Sequence, residues 1–178
     1  MIAFLTERLT LRPLAPEDFE HHAAMMASPE VAQFLTLDHK PPSRENAWRA
    51  FAAMLGHWSI RGFGFFSVFE QGTNEWVGRV GPWMPEGWPG LECGWGISRA
   101  HWGKGYAAEA AIAATKWIFE QRPDLPRIIS LIDPANSNSQ RVAEKIGETK
   151  TAETFVLEQS IKLDIWAAER EDWLRRFS

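Results

Sequence analysis

Three stretches of this sequence carry residue types at spacings that can do chemistry. The first is Trp102-Gly103-Lys104-Gly105-Tyr106-Ala107, two glycines one residue apart where a loop gives way to a helical pattern. A helix start presents backbone N–H groups without intrahelical partners, together with partial positive charge, and glycine lets an anion approach. Each hydrogen bond to a charged oxygen contributes about 1.5–3 kcal/mol and the dipole adds about 0.3–1. Several would hold a pyrophosphate at micromolar strength without a lysine cluster. Taken alone, the two glycines fit a tight strand-to-helix turn equally well. The segment matches neither Gly-x-x-x-x-Gly-Lys-Ser/Thr nor Gly-x-Gly-x-x-Gly, which argues against an NTPase loop and a dinucleotide fingerprint.

The second stretch is Leu91-Glu92-Cys93-Gly94-Trp95-Gly96-Ile97. On a strand, Leu91, Cys93, Trp95 and Ile97 share one face while Glu92, Gly94 and Gly96 share the other, unless a bulge intervenes. Two glycines beside a carboxylate leave room at the backbone, so Glu92 is the leading candidate for a general base. An exposed or ion-paired strand glutamate is the competing reading. Cys93 faces away from Glu92 and has no evident histidine partner, which disfavours covalent catalysis. The third stretch is Asn136-Ser137-Asn138-Ser139-Gln140, where Asn136 suits a helix cap and Ser137-x-x-Gln140 a capping box. His21, His22, His39, His57 and His101 show no compact ligand spacing, so no metal site is expected.

The elements that must position these residues read as mixed α/β. Arg8–Arg12 alternates like a half-buried strand, and Pro16-Glu17-Asp18 opens a helix reaching about Met26, broken at Ser28-Pro29. A second helix is expected from Glu45 to about Ile60. Phe65–Glu70 and Glu75–Trp83 read as a hairpin around Gln71-Gly72-Thr73-Asn74. Strand Leu91–Ile97 leads through the glycine loop into a helix from about Gly105 to Glu120, with Ala108, Ala111, Ile112, Thr115 and Phe119 as its apolar stripe. Ile128–Ile132 is apolar on both faces, as a covered strand is. A helix Ser137–Ile146 ends at Gly147; strands Lys150–Leu157 and Ile161–Ala167 and a short helix close the chain. Ligands in a strand-loop-helix unit sit at the carboxyl ends of the strands. Trp83 and Trp88 fall in the loop Pro82–Gly90, where aromatic rings can line a site.

Composition bounds the function. The chain has 178 residues, 45% hydrophobic and 24% charged, which suits one domain over 1–178. Net charge is −4 with no block of like charges, so nucleic acid is not an expected partner. No apolar run approaches the roughly 20 residues that span a bilayer, and Met1–Leu11 lacks the apolar core of a secretory signal, so no membrane partner is expected either. A single cysteine excludes an internal disulfide and fits a reducing, cytoplasmic setting.

With its motifs read, the chain resembles the GNAT superfamily of N-acetyltransferases, in the branch that includes the Rim-type ribosomal-protein N-terminal acetyltransferases. Trp102–Ala110 is similar to that branch's pyrophosphate loop, with Trp102 where the wider superfamily has Gln or Arg. Asn136–Gly147 is similar to its second cofactor segment, and Thr6–Leu14 to its opening. The resemblance implies a mostly antiparallel sheet that opens at a parallel pair, Leu91–Ile97 and Arg127–Asp133, between flanking helices. It implies acetyl-CoA as cosubstrate, without a metal or an acyl-enzyme. Backbone N–H groups of Trp102, Gly103, Lys104, Gly105, Tyr106 and Ala107 would hold the pyrophosphate. Backbone around Trp95 and Ile97 would pair with the pantetheine arm, and Asn136 would hydrogen-bond its amide.

Two positions depart from the family pattern. Ala143 stands where many relatives have a tyrosine that protonates the leaving thiolate, and Glu148 replaces the usual phenylalanine. The first departure moves the candidate acid to Ser139, which shares a helix face with Val142, Ala143 and Ile146. A polar residue in the first helical turn explains Ser139 equally well. The implied acceptor is an amine on a small molecule or a protein N-terminus, and a homodimer stays open. The rival readings are a non-catalytic acyl-CoA-binding module and a protein-interaction domain.

Overall fold

The computed structural model describes residues 3–158 and 161–177; Met1, Ile2, Gln159, Ser160 and Ser178, some of which the sequence reading touches, lie outside them. The elements are β1 Phe4–Leu5, β2 Leu9–Pro13, α1 Phe19–Met26, α2 Pro29–Ala32, α3 Arg44–Arg61, β3 Phe66–Glu70, β4 Trp76–Trp83 and β5 Glu92–Ile97. They continue as α4 Tyr106–Gln121, β6 Arg127–Ile132, α5 Ser137–Lys145, β7 Thr149–Leu157, β8 Ile161–Glu169 and α6 Arg170–Phe177. One eight-stranded sheet runs in the order β1-β2-β3-β4-β5-β6-β8-β7, and β5–β6 is its parallel pair. No described helix is long and apolar enough to cross a membrane.

Several boundaries differ from the sequence reading, each for a local reason. Pro16–Asp18 is a 3-10 turn rather than the first turn of α1, because Asp18 turns back to accept the Ala15 N–H at 2.9 Å. Ser28-Pro29 ends α1 and also starts α2, since proline suits a first helical position. In the β3–β4 turn, Asn74 takes the left-handed conformation, with φ 58°. The apolar stripe of α4 is centred on Ala110, Ala114 and Ile118, all at most 1% exposed, while Ala108 and Ile112 are only partly buried. Alanines at the centre let the helix lie close to β4 and β5, a packing that hydrophobicity alone does not mark.

Leu9, Leu11, Phe66, Val68, Val77 and Val80 meet Phe119 and Ile118 in the main core. On the opposite face a buried ion pair fixes the helical layer. Asp18 is 1% exposed and accepts two hydrogen bonds from the Arg12 guanidinium, at 2.8 and 2.7 Å, and one from Ser67 Oγ at 2.6 Å. Burial pushes its pKa up, but these donors and the Ala15 N–H outweigh burial and hold it below the usual carboxylate range. Strands β2 and β3 and the start of α1 are thereby joined, which sets where α1 and α2 roof the sheet.

The Asp18 contribution is present above the unfolded carboxyl pKa and is lost as pH falls through the lower folded one. Asp18→Ala leaves Arg12 without its partner and should cost about 3 kcal/mol, read as a lower denaturant midpoint at neutral pH. The gap to wild type should narrow below about pH 3; a constant gap from pH 7 to 2 would show the carboxylate charge is not what stabilises.

Candidate active site

Strands β5 and β6 register at one pair only, Glu92 with Ile129, supported by Ile129 N–H donating to Leu91 O at 3.0 Å. Beyond it the sheet opens. β5 stays paired to β4 without a bulge, so side-chain parity holds along its length. Ser98 N–H bonds Val77 O on the β4 side. By antiparallel alternation the backbone groups of Gly96 and Gly94 also face β4, and those of Cys93, Trp95 and Ile97 face the opening. Two of the carbonyls there are already used. Cys93 O receives the Ser130 hydroxyl at 3.0 Å, and Ile97 O the Trp102 indole N–H at 2.8 Å. Trp95 N–H and C=O and Ile97 N–H keep no strand partner on that side.

At the carboxyl end of β5, Gly103 and Gly105 have φ of 78° and 83°. A Cβ at Gly103 would meet open space and one at Gly105 only Arg8 at 3.5 Å, so backbone conformation rather than crowding requires glycine here. From Gly103 to Ala108 the backbone N–H groups donate to no described residue. Trp102 departs from the expectation that its N–H belongs to this row. That N–H donates to Arg99 O at 3.3 Å within a 3-10 turn, and the residue braces the loop through its indole instead. Behind the row, Arg8 bridges to Glu109 at 2.6 Å and donates to Lys104 O at 3.0 Å, while Tyr106 OH donates to Glu70.

Asn136 caps α5: its Oδ1 accepts Ser139 N–H at 3.0 Å. The expected capping box does not form, because Gln140 reaches Pro134 O at 2.9 Å. Capping uses only the oxygen of Asn136; its amide nitrogen has no partner among the described residues. Ser139 Oγ accepts the Trp95 indole N–H at 3.2 Å, which ties the helix start to β5 and leaves the hydroxyl proton to donate elsewhere.

Two cavities meet at the opening. One, of about 510 Å³, runs between the Gly103–Ala108 row and α5. The other, of about 430 Å³, is walled by Phe65, Trp83, Trp88 and Leu163 and holds Glu92 and Arg79. Trp95, Leu35, Asn136 and Ser139 border both. Glu92 accepts the Trp88 indole N–H at 2.7 Å and lies 3.5 Å from Leu131 N–H. Burial raises its pKa to about 7, against the lowering effect of those donors and of Arg79. Trp88 in the loop and Trp83, which is the last residue of β4 rather than a loop residue, both line this cavity. Arg79, Phe65 and Leu35 escaped the sequence reading, since an arginine in an alternating strand reads as solvent-facing.

Behind the opening lies a second buried acid. Glu148, at the position that departs from the family pattern, is 2% exposed; Oε1 lies 3.0 Å from Ser130 Oγ and Oε2 has no partner. Burial pushes its pKa well above the ordinary range, and nearby Glu92 adds to the rise. One hydroxyl proton cannot serve both Cys93 O and Glu148, so a protonated Glu148 donating from Oε1 to Ser130, with Ser130 donating to Cys93 O, gives each proton an acceptor and leaves only Oε2 unpaired.

Folding therefore raises the proton affinity of Glu148. The folded chain keeps a proton that the unfolded chain releases near pH 4.5, and stability falls as pH rises above that value. Glu148→Gln has no such proton to lose, so its melting temperature relative to wild type should climb between pH 5 and 8. A difference that stays constant across that range would mean the carboxyl ionises as freely folded as unfolded.

The geometry agrees with comparisons to known proteins. Residues 8–149 match the family model described as an acetyltransferase (GNAT) domain. The chain is 30% identical over 152 residues to the uncharacterized N-acetyltransferase p20 of Bacillus licheniformis, covering 84% of each. It is 42% identical over 80 residues to the uncharacterized protein YkkB of Bacillus subtilis, and that match spans only 46% of YkkB and 44% of this chain. Among solved structures, an acetyltransferase from Agrobacterium tumefaciens superposes with a TM-score of 0.82 at 34% identity, covering 94% of both chains. A sheet opened beside a row of free N–H groups, and a family match over most of its length, place this chain in the GNAT acetyltransferase family.

Proposed function

We propose that this chain transfers the acetyl group of acetyl-CoA to an amine by direct attack within a ternary complex. The observation that carries this reading is the opening between β5 and β6, with unpaired backbone donors at one end and Glu92 at the other. GNAT proteins use acetyl-CoA, and the residues here fit it. Six consecutive N–H groups from Gly103 to Ala108 suit a pyrophosphate, now without Trp102 N–H. The free edge of Trp95 and Ile97 suits the amides of a pantetheine arm, and the spare Asn136 amide a further carbonyl. Bound there, acetyl-CoA supplies an activated thioester.

The protein's own groups then have defined tasks. Glu92 takes the proton of the incoming amine; a carboxyl with pKa near 7 is partly ionised at neutral pH and suited to a base. Ser139, held by the Trp95 indole, donates its proton to the departing sulfur and regains one from solvent. An α-amine of pKa ~8 is about a quarter neutral near pH 7.5, whereas a lysine amine of pKa ~10.4 needs about 4 kcal/mol to deprotonate. This sparse acid–base set favours an α-amine or another accessible amine, with positioning supplying much of the rate. The lone cysteine, buried and raised in pKa, takes no part and suits a cytoplasmic protein.

Isothermal titration with acetyl-CoA and a thiol-release screen over amines test the reading. Binding without turnover of any amine would favour an acyl-CoA-binding module, and no binding a protein-interaction domain. Glu92→Gln should lower kcat by about 10²–10⁴ with acetyl-CoA affinity nearly kept. The loss should shrink as pH rises and more amine is already neutral. Wild-type rates at every pH would remove Glu92 from the mechanism.

Asn136 has two tasks that substitutions can separate. Asn136→Ser keeps an oxygen for the cap but not the amide donor, so it should raise the acetyl-CoA KM while nearly keeping the melting temperature. Asn136→Ala should also lose about 1 kcal/mol of stability. An unchanged KM in both would make Asn136 a cap only.

A further inference from the structure

The acceptor cavity contains a charge that acetyl transfer to a simple amine does not need. Arg79 on β4 stands opposite Gly96 and is only 7% exposed. Its guanidinium makes no hydrogen bond and no ion pair with any described residue, and its Nε is sealed from solvent without an acceptor. Its Cζ lies 4.1 Å over the Phe65 ring, and the residue lines the cavity. No described acid forms an ion pair with it. Asp18 is committed to Arg12 and Ser67, while Glu92 acts on Arg79 only through space. Neighbouring His22 is 1% exposed with both ring nitrogens unpartnered, and burial, helped by Arg79, lowers its pKa to about 3, so it is neutral. Burial lowers the Arg79 pKa only to about 10, which leaves it cationic. A buried cation without a partner is costly, and the cost is removed when an anion enters.

We infer that Arg79 receives a carboxylate of the acceptor, so that the substrates are small amino carboxylates of apolar body, their amine at Glu92 and their carboxylate at Arg79. This rests on the acetyltransferase reading above and narrows its acceptor. Arg79 and Glu92 share one face of the sheet by register. A Cβ at Gly94 would meet the Phe65 ring at 3.0 Å and lie 3.7 Å from Glu92 Oε1, and one at Gly96 would meet Leu35 at 3.2 Å and Met25 at 3.4 Å and lie 3.7 Å from Arg79 Cζ. Those two glycine positions are about 7 Å apart along the strand. Phe65, Leu35 and Met25 occupy the space those glycines leave, and Glu92 and Arg79 line one cavity beside the Phe65 ring, a base and a cation that a single acceptor would meet together. One guanidinium balances one carboxylate and fits both its oxygens. A dianionic phosphate would leave net charge against an apolar wall, and an amide carbonyl would leave the cation uncompensated. A space of about 430 Å³ suits a small molecule.

The test compares leucine with leucinamide as acceptors, in wild type and in Arg79→Gln, by thiol release with acetyl-CoA. The ratio between enzymes cancels the differing basicity of the two amines. Arg79→Gln should lower kcat/KM for leucine about ten- to a hundredfold more than for leucinamide, whose smaller loss reflects the higher Glu92 pKa once Arg79 no longer lowers it. Arg79→Lys, which keeps the charge but not the fork, should fall between. An equal loss on both acceptors, or a wild-type preference for phosphoethanolamine, overturns the assignment. If neither leucine nor leucinamide is acetylated, titration of N-acetylleucine into the CoA-loaded protein decides. Binding that weakens at least tenfold in Arg79→Gln supports the assignment, and absent or unchanged binding overturns it. Loss of acetyl-CoA binding by the wild-type chain would instead strike the acetyltransferase reading itself.

Discussion

The Ser130 hydroxyl, held between the Cys93 carbonyl and Glu148, marks where β5 and β6 stop behaving as neighbours. One residue earlier the strands pair through Leu91 and Ile129. At Cys93 a side chain replaces the backbone donor, at Trp95 nothing does, and at Ile97 the Trp102 indole serves the carbonyl alone. A sheet edge inside a protein normally costs stability, because unpaired N–H and C=O groups are buried. Here the edge opens onto two cavities, and the cost is deferred to whatever enters. Trp95 and Trp102 keep the gap from closing: one indole reaches across to Ser139 on α5, and the other folds back on Ile97.

Charge around this opening is arranged so that buried ionisable groups are few and separate. Glu92 and Glu148 both lie in surroundings that favour the protonated form, and Glu92 adds to the rise of the Glu148 pKa. Glu148, deeper and hydrogen-bonded to Ser130, is suited to remain neutral. Glu92, with Trp88 and Leu131 as donors, sits where its ionisation is accessible near neutral pH. Arg79 completes the set from the far side of Phe65. By contrast Asp18, as deeply buried, is fully satisfied by the partly exposed Arg12, by Ser67 and by the Ala15 N–H. The difference separates a pair that fixes the fold from charges left available for a ligand.

The linear order of strands and helices was legible because each element's period and its stop signals are local properties. Gly62, Gly105 and Gly147 take the left-handed conformations that end α3, precede α4 and follow α5. The glycine loop and the Asn136 cap were legible for the same reason: a helix end declares its needs within four residues. Parity along β5 put Glu92 on the side of Gly94 and Gly96, and an unbulged strand keeps that parity.

What depended on the tertiary structure were matters of distance between segments far apart in the chain. No local signal says that the Trp102 N–H is already spent, since that bond arises from a 3-10 turn the pattern does not mark. Ala110 and Ala114 form the centre of a helix face only because β4 and β5 lie close beneath them. Arg79 alternates along β4 like a solvent-facing residue, yet α1, Phe65 and β5 close over it. Glu148 reads as an ordinary polar residue after a helix-ending glycine until Ser130 and Cys93 are brought against it. The sequence alone determined which backbone and side-chain groups are chemically capable, because capability belongs to residue type and local conformation. Which of them lack partners only the fold decided, because a partner is supplied by another part of the chain.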